Sequence, residues 1–299
     1  MSHFRVEMFG GLSVHTHGHA LPLAGSCRPI LGYLLTRRQR TVSRAELAET
    51  LWSDREGEHA RHCLSTALWR LKKSTDIGAS LLAFHGADDV AFNWAAPAWV
   101  DAVAMEWRLT PLLKRRADAL TQDDLRRLEH GVRLYRGDYL SGMDQEWACL
   151  ERQRLRDLYC DGLYRLVMAH AAARDWHQAL TWGRRLSREE PLREDVHRLL
   201  IQACVQTGNR ACALAQYREC ARMLAADLGV EPMPETQALY RQLSGTAARI
   251  DLAPIEAAAS TAFDSACQRL GRVQQLLMVC ERQLAQTAAS LASLRPPSG

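Results

Sequence analysis

Two stretches decide how the chain is read: Leu166 to Leu180, LVMAHAAARDWHQAL, and Leu200 to Leu214, LIQACVQTGNRACAL. Offset by 34 residues, they align Leu166 with Leu200, Ala169 with Ala203, Asp175 with Asn209, Ala179 with Ala213 and Leu180 with Leu214. A repeat of that length is a pair of antiparallel helices. Its Ala and Leu positions let the helices approach closely, and Asp175 and Gly208-Asn209 fall in the turns between them. Stacked pairs of this kind form a concave surface that holds protein or peptide rather than performing chemistry.

Downstream of these stretches the composition changes. Residues 246–262, which follow Gly245, contain Ala, Thr, Ser and Pro and read as a linker. From Phe263 a three-four alternation then runs through Ala266, Leu270, Val273, Leu277, Cys280, Leu284, Thr287, Leu291 and Leu294. Over residues 263–294 this predicts a coiled-coil-like helix, with Leu270, Val273, Leu277, Leu284 and Leu291 as the dimerisation seam. Ala266, Cys280 and Thr287 are weak seam residues. They leave open a single amphipathic helix folded back on the repeats near Leu239 and Leu243.

Upstream, the helical pattern begins near Asp101, so the repeat region is placed at residues 101–245 and a separate unit at 1–98. That unit opens with strands. Phe4, Val6 and Met8 alternate, Gly10-Gly11 turns the chain, Leu12 and Val14 alternate again, and Gly18 separates this run from Leu21-Pro22-Leu23. His15, His17 and His19 fall about that Gly18 turn and read as an exposed hairpin tip. Three helices follow: one with Ile30, Leu31, Leu34 and Leu35 on its apolar face, one capped by Ser43 with Glu46 three residues on, and one from Asp54–Glu58 to Lys72-Lys73. The third buries Leu64, Ala67, Leu68 and Leu71 and turns Arg61, His62, Ser65, Thr66, Trp69, Arg70 and Lys73 outward. A hairpin of Leu81–Phe84 and Val90–Trp94 closes the unit. Sheet, three helices and hairpin, in that order, predict a winged helix-turn-helix with a small β-sheet and a wing. The fold class is thus mainly α: a winged helix, a tetratricopeptide-like repeat domain and a C-terminal helix.

The 299 residues suffice for two cores, and the 47% hydrophobic fraction suits globular protein. No run of apolar residues reaches the length of a membrane span, and residues 1–5 lack the form of a signal sequence, so the expectation is a cytoplasmic protein without membrane contact. The nine cysteines are scattered without zinc-ligand spacing and read as small buried residues; Cys212 and Cys220 alone suggest redox sensing, by sharing a helix face. A net charge of +4 is uninformative, but its distribution is not. Residues 28–44 hold Arg28, Arg37, Arg38, Arg40 and Arg44 without an acid, and residues 59–75 hold Arg61, Arg70, Lys72 and Lys73 likewise.

The Phe4-Arg5-Val6 and Phe9–Val14 runs, Val42–Leu47 with Leu51-Trp52, and Trp69-Arg70-Leu71-Lys72 resemble the winged-helix half of the Streptomyces antibiotic regulatory protein family. Leu134–Leu140 (LYRGDYL), Glu190–Glu194 (EPLRE), Leu214–Tyr217 and Asp227–Pro232 (DLGVEP) resemble that family's bacterial transcriptional activator domain. The resemblance covers residues 3–244. It implies a DNA-binding activator whose helical half contacts RNA polymerase. Two departures stand out: the family's Gly-Tyr-Arg-Leu wing run is here Gly86–Phe92, with Asp88 and Asp89 at its tip, and Ala67 replaces a larger polar residue. A phosphate-binding Gly-x-x-x-x-Gly-Lys loop is not found, so ATPase-bearing members are poor models.

The expected function is therefore sequence-specific binding of double-stranded DNA. Arg61, Ser65, Thr66 and Arg70 face the groove, Trp69 packs or touches a sugar, and Arg37, Arg38, Arg40, Lys72 and Lys73 hold phosphates. RNA polymerase and a second copy of the chain are the other expected partners, and no cofactor is expected. The alternative is a protein-binding scaffold whose winged helix has left DNA, favoured by the acidic wing and by eleven bases against nine acids in the first hundred residues. No arrangement of side chains supports an enzyme.

Overall fold

The computed structural model describes residues 4–38, 40–73 and 81–245. The seam at 263–294 and the linker before it lie outside the described residues.

The alternation of Phe4, Val6 and Val14 buries one face of a small antiparallel sheet: β1 (Phe4–Glu7), β2 (Ser13–Thr16) and β3 (His19–Ala20). The β2–β3 turn is at His17-Gly18, where both φ angles are positive. A further strand, β7 (Ala98–Val100), pairs parallel with β1 and gives the order β3-β2-β1-β7. This strand carries no signature in the sequence, because three residues are too few for a period to show. Helices α1 (Cys27–Arg37), α2 (Arg44–Leu51) and α3 (Gly57–Lys73) follow, and β4 (Val42–Ser43), β5 (Leu82–His85) and β6 (Asp89–Phe92) form the wing sheet, in the order β4-β6-β5. Ser43 caps α2 by accepting from the Glu46 amide at 3.1 Å, as its position suggests. The Glu46 carboxylate turns elsewhere, to the Tyr33 hydroxyl on α1 at 2.6 Å.

The second half is helical throughout: α4 (Asp101–Leu113), α5 (Gln122–Arg133), α6 (Glu146–Ala172), α7 (Trp176–Glu189), α8 (Glu194–Gln206), α9 (Arg210–Asp227) and α10 (Pro234–Ser244), with a short 3-10 turn at Ala117–Ala119. The 34-residue repeat is real in space: α6–α7 and α8–α9 are equivalent antiparallel pairs, and α10 packs on α8 and α9. Asp175 and Asn209, one repeat apart, play the same part, each accepting the amide three residues on to start α7 and α9. Gly183 on α7 shows why the seam needs small residues, since a Cβ there would stand 2.7 Å from Leu200 Cδ2 on α8. Leu239 and Leu243 of α10 are themselves buried.

The cysteines depart from the expectation in two respects: Cys149 is exposed and Cys63 half-buried on helix surfaces, and one pair is linked. Cys27, Cys160 and Cys220 are buried thiols, but Cys204 near the end of α8 is joined to Cys212 in the first turn of α9, with Cα atoms 5.8 Å apart. A spacing of eight residues reads as one helix face only while the helix continues; the Gly208-Asn209 turn folds it back and brings the two sulfurs together.

The two halves share one continuous hydrophobic core. Their junction is built by the run Leu134–Leu140. Leu140 N donates to Met8 O at 2.8 Å, Gly10 N donates to Asp138 O at 2.9 Å, and Phe9 pairs with Tyr139 in a β-bridge. Phe9 packs on the rings of Tyr135 and Tyr139, with centroids at 4.9 and 6.3 Å. The Tyr139 hydroxyl, pushed up from the usual phenol range by burial, meets the Thr36 hydroxyl of α1 at 2.7 Å. Arg152 on α6 braces the other side by donating to the carbonyls of Tyr139, Leu140 and Met143. Among the described residues no helix is long and apolar enough to cross a membrane.

Candidate nucleic-acid interface

The third helix of the winged unit has seventeen residues, about 25 Å of helix, with one face anchored and one free. Leu64, Ala67, Leu68 and Leu71 are each 2% exposed or less, so the outward direction is fixed by packing rather than chosen. Arg61, His62, Ser65, Trp69, Arg70, Lys72 and Lys73 are exposed, and Thr66 is half-buried. The helix therefore presents arginine, hydroxyl and lysine groups along one surface, the side-chain types that serve base edges and phosphates.

Several of these groups already have partners that set their direction. Trp69 is 58% exposed, and the Lys73 ammonium lies 4.9 Å from its ring centroid. Lys72 reaches the wing, its Nζ 3.9 Å from the Phe84 ring of β5, which ties the end of α3 to the hairpin. Arg70 spans back to Ser26, just before α1, at 3.5 Å, the outer limit of a hydrogen bond. Thr66 and Ser65 lie about one turn before it on the same helix, and Arg61 about two and a half turns before it.

The second group of expected contacts is divided by the structure. Arg40 is exposed between α1 and β4. Arg37 is exposed but clamped: its guanidinium donates to the Tyr33 hydroxyl at 2.9 Å and pairs with Glu46 at 3.2 Å, joining α1 to α2. Arg38 faces the helical half. There it pairs with Glu106 of α4 and with Glu151 of α6, the latter at 3.3 Å, and Arg154 completes the network with Glu106 at 2.8 Å and Glu151 at 2.7 Å. Burial, with the Arg154 cation beside it, pulls the Arg38 guanidinium below its usual value. The structure thus brings Arg61, Ser65, Thr66, Trp69, Arg70 and Lys73 together on α3 and places Arg38 in the junction between the halves. Sequence reasoning missed that junction set, since Glu106, Glu151 and Arg154 lie far along the chain from Arg38 and carry no spacing signal.

The wing hairpin has its turn at Gly86, whose φ is +68°, and Asp88 is exposed at the tip. The Asp88 carbonyl accepts the Arg44 amide at 2.8 Å, so the tip is held against the start of α2. Among the described residues no cluster of His, Cys, Asp and Glu has the arrangement of a metal site.

Comparison with known proteins agrees with this architecture. Residues 100–244 match the family model of the bacterial transcriptional activator domain. The chain is 31% identical over 224 residues to the regulatory protein AfsR of Streptomyces coelicolor, covering 72% of this chain and 22% of AfsR. It is 26% identical over 244 residues to the transcriptional regulator RedD of the same organism, covering 76% of this chain and 66% of RedD. It therefore spans about a fifth of the length of AfsR. Among solved structures, Mycobacterium tuberculosis EmbR, in complex with a low-affinity phosphopeptide, shares the fold at a TM-score of 0.67 and 20% identity, over 91% of this chain and 72% of EmbR.

Proposed function

The chain carries a bacterial transcriptional activator domain over residues 100–244 and is related to AfsR and RedD, which places it with the Streptomyces antibiotic regulatory protein family, and on that footing we propose that it is a cytoplasmic, non-enzymatic transcription activator that binds double-stranded DNA sequence-selectively. The observation that carries the reading is the outward face of α3. The helix is anchored from below by four buried apolar side chains, and its outward residues are exposed, apart from the half-buried Thr66. A helix so mounted fits the major groove. In this reading Arg61, Ser65, Thr66 and Arg70 meet base edges, Trp69 lies against a sugar, and Arg37, Arg40, Lys72 and Lys73 hold phosphates. Arg38 contributes through the junction with the helical half. The helical half recruits RNA polymerase. The domains are read as 1–98 and 101–245, although β7 at 98–100 belongs to the first sheet, so a cut at residue 98 would strip a strand from it.

The test uses the full chain. Arg70→Ala is expected to weaken binding to a selected genomic site about 10-fold to 100-fold in a mobility-shift titration, since one bidentate base contact is worth roughly 1–3 kcal/mol. An equal loss on every sequence would assign Arg70 to a phosphate instead, and unchanged affinity in a folded variant removes it from the site. The acidic wing tip favours a second reading, a scaffold that recruits proteins without DNA. Failure of the parent chain to shift any genomic fragment at low salt decides for the scaffold.

A second copy of the chain is the remaining proposed partner, through the seam at Leu270, Val273, Leu277, Leu284 and Leu291. Light scattering of the full chain should then give twice the mass per chain found for a variant ending at Gly245. Monomeric masses for both would dismiss the dimer.

A further inference from the structure

The α8–α9 turn carries a cysteine on each side. Cys204, in the last turn of α8, is 1% exposed, and Cys212, in the first turn of α9, is half-buried. Their Cα atoms stand 5.8 Å apart, within the span of a disulfide, and their sulfurs are joined. The first repeat shows that the turn does not need this link. There the equivalent positions, 34 residues earlier, hold His170 and Gln178. The His170 carbonyl accepts the Asp175 amide at 2.8 Å, and the Asp175 side chain accepts the Gln178 amide at 3.2 Å. In the second repeat the Cys204 carbonyl accepts the Asn209 amide at 2.8 Å, and the Asn209 side chain accepts the Cys212 amide at 2.9 Å. Both turns place a residue of positive φ at the same point, Arg174 and Gly208. The same hydrogen bonds and one left-handed residue therefore shape either turn, and in the second they keep the two cysteines within reach whether joined or not. A pair placed by its backbone can open and close without rebuilding the fold.

The two sulfurs are chemically unequal. The first turn of α9 holds no acid, so the positive end of the helix acts on Cys212 unopposed. Arg184 of α7 donates to the Cys212 sulfur at 3.7 Å. Both favour the thiolate, the reactive form of a cysteine. Cys204 lies deeper, beyond direct attack from solvent. Cys220, on the same helix as Cys212, is a buried thiol pushed up to about 11 by that burial, which keeps it protonated and out of the exchange.

We propose that Cys204 and Cys212 form a reversible thiol–disulfide site, at which Cys212 exchanges with a small-molecule disulfide and Cys204 resolves the product. The Cys212 thiolate attacks one sulfur of the small disulfide, whose S–S bond breaks and releases one thiolate, leaving a mixed disulfide on Cys212. Cys204 gives its proton to the released thiolate and attacks the Cys212 sulfur, expelling the second thiolate, which takes a proton from water. Two protein thiols are oxidised to one disulfide, and the small disulfide is reduced to two thiols. Closure ties the start of α9 to the end of α8. That the pair cycles in the cell rests on the cytoplasmic reading, because a reducing compartment is what opens it. The exchange chemistry of the purified chain does not, so its failure would leave that reading and the activator reading standing.

The full chain, reduced and freed of reductant, is treated with glutathione disulfide, alkylated and digested with trypsin. The expected product is Leu199–Arg210 joined to Ala211–Arg218, and millimolar reduced glutathione should open it again. Cys204→Ala should stop with glutathione held on Cys212, whereas Cys212→Ala should leave Cys204 unmodified. Arg184→Ala, at an exposed position, should slow closure about tenfold. Amides in the first turn of α9 should exchange about tenfold faster in the reduced chain than in the linked one, while those of α6 stay unchanged. Melting curves check that each variant is folded. A link that resists reduced glutathione in the folded chain overturns the proposal, since it is then a permanent staple. Glutathione captured by Cys204 in Cys212→Ala as fast as by Cys212 in Cys204→Ala overturns it too, as does equal exchange of the α9 amides in the reduced and linked forms.

Discussion

Replacing Asp101 by leucine is expected to lower the stability of the chain by about 3–5 kcal/mol, the largest loss foreseen for any single polar side chain in the junction. The Asp101 carboxylate is 4% exposed and accepts three backbone amides: Met8 at 2.9 and 3.0 Å through its two oxygens, Phe9 at 3.2 Å, and Ala102 at 2.7 Å. Met8 and Phe9 follow directly on β1, while Asp101 opens α4, so one carboxylate pins the first strand of the winged helix to the first helix of the activator domain. Burial pushes this carboxyl up from the usual carboxylate range, and the three amides pull it back. Leucine keeps the branched outline but is the bulkier side chain, so overpacking adds to a loss that comes mainly from buried N–H groups left without an acceptor, each costing about 1–3 kcal/mol. Asp101→Asn keeps one acceptor oxygen and should cost about 1–2 kcal/mol. Urea unfolding of the three proteins measures the series. A leucine variant within 1 kcal/mol of the parent would mean that other groups carry the junction.

The features legible in the sequence are those whose residues lie close together in the chain. The outward face of α3 follows from a period of 3.6 applied to Leu64, Leu68 and Leu71, and the structure places every one of these inside. The helix pairs follow from the 34-residue self-match, and Asp175 and Asn209 prove to be equivalent caps. The junction was hidden for the opposite reason. Arg38 and Glu106 are far apart in sequence, as are Met8 and Asp101, and no local period links them. Even so, a trace was present: LYRGDYL, which marked the activator domain, is the segment that docks β1 through Leu140, Asp138 and Tyr139. Its composition hinted at importance without revealing what it touches. Arg38 shows the limit of charge reading. A basic run near a DNA-binding helix suggests phosphates, yet one member faces two glutamates of the other half. The Cys204–Cys212 link was hidden likewise, because its spacing has meaning only once the intervening turn is known.

The other motif pair leads to the second large effect. Glu194 of the EPLRE run reaches α10, where its Oε2 accepts the Met233 amide at 2.8 Å and the Thr236 hydroxyl at 2.7 Å. Met233 is the N-cap residue of α10 and has no capping side chain of its own, so the cap is supplied from α8. The DLGVEP run ends just before this point, so one run brings the helix start to the place where the other caps it. Thr236 is fully buried and also accepts from Arg198 at 3.0 Å, while the Met233 amide lies at the exposed end of the cluster. An eleven-residue helix is too short to hold in isolation. α10 depends on this cap, on Leu239 and Leu243 beneath it, and on the Tyr217–Tyr240 stack with centroids 4.3 Å apart. Glu194→Leu is therefore expected to raise hydrogen exchange of the α10 amides about 30-fold, equivalent to a local loss of about 2 kcal/mol, while amides of α6 and α7 keep their protection. Glu194→Gln retains a neutral acceptor and should raise exchange by less, about tenfold. A helix array is stabilised by each neighbour in turn, so loosening α10 uncovers the last face of α8 and α9 and leaves the first pair intact. Uniformly faster exchange across the whole domain would instead show that the repeats and their closing helix unfold as one cooperative unit, and unchanged exchange in α10 would show that its packing alone holds it.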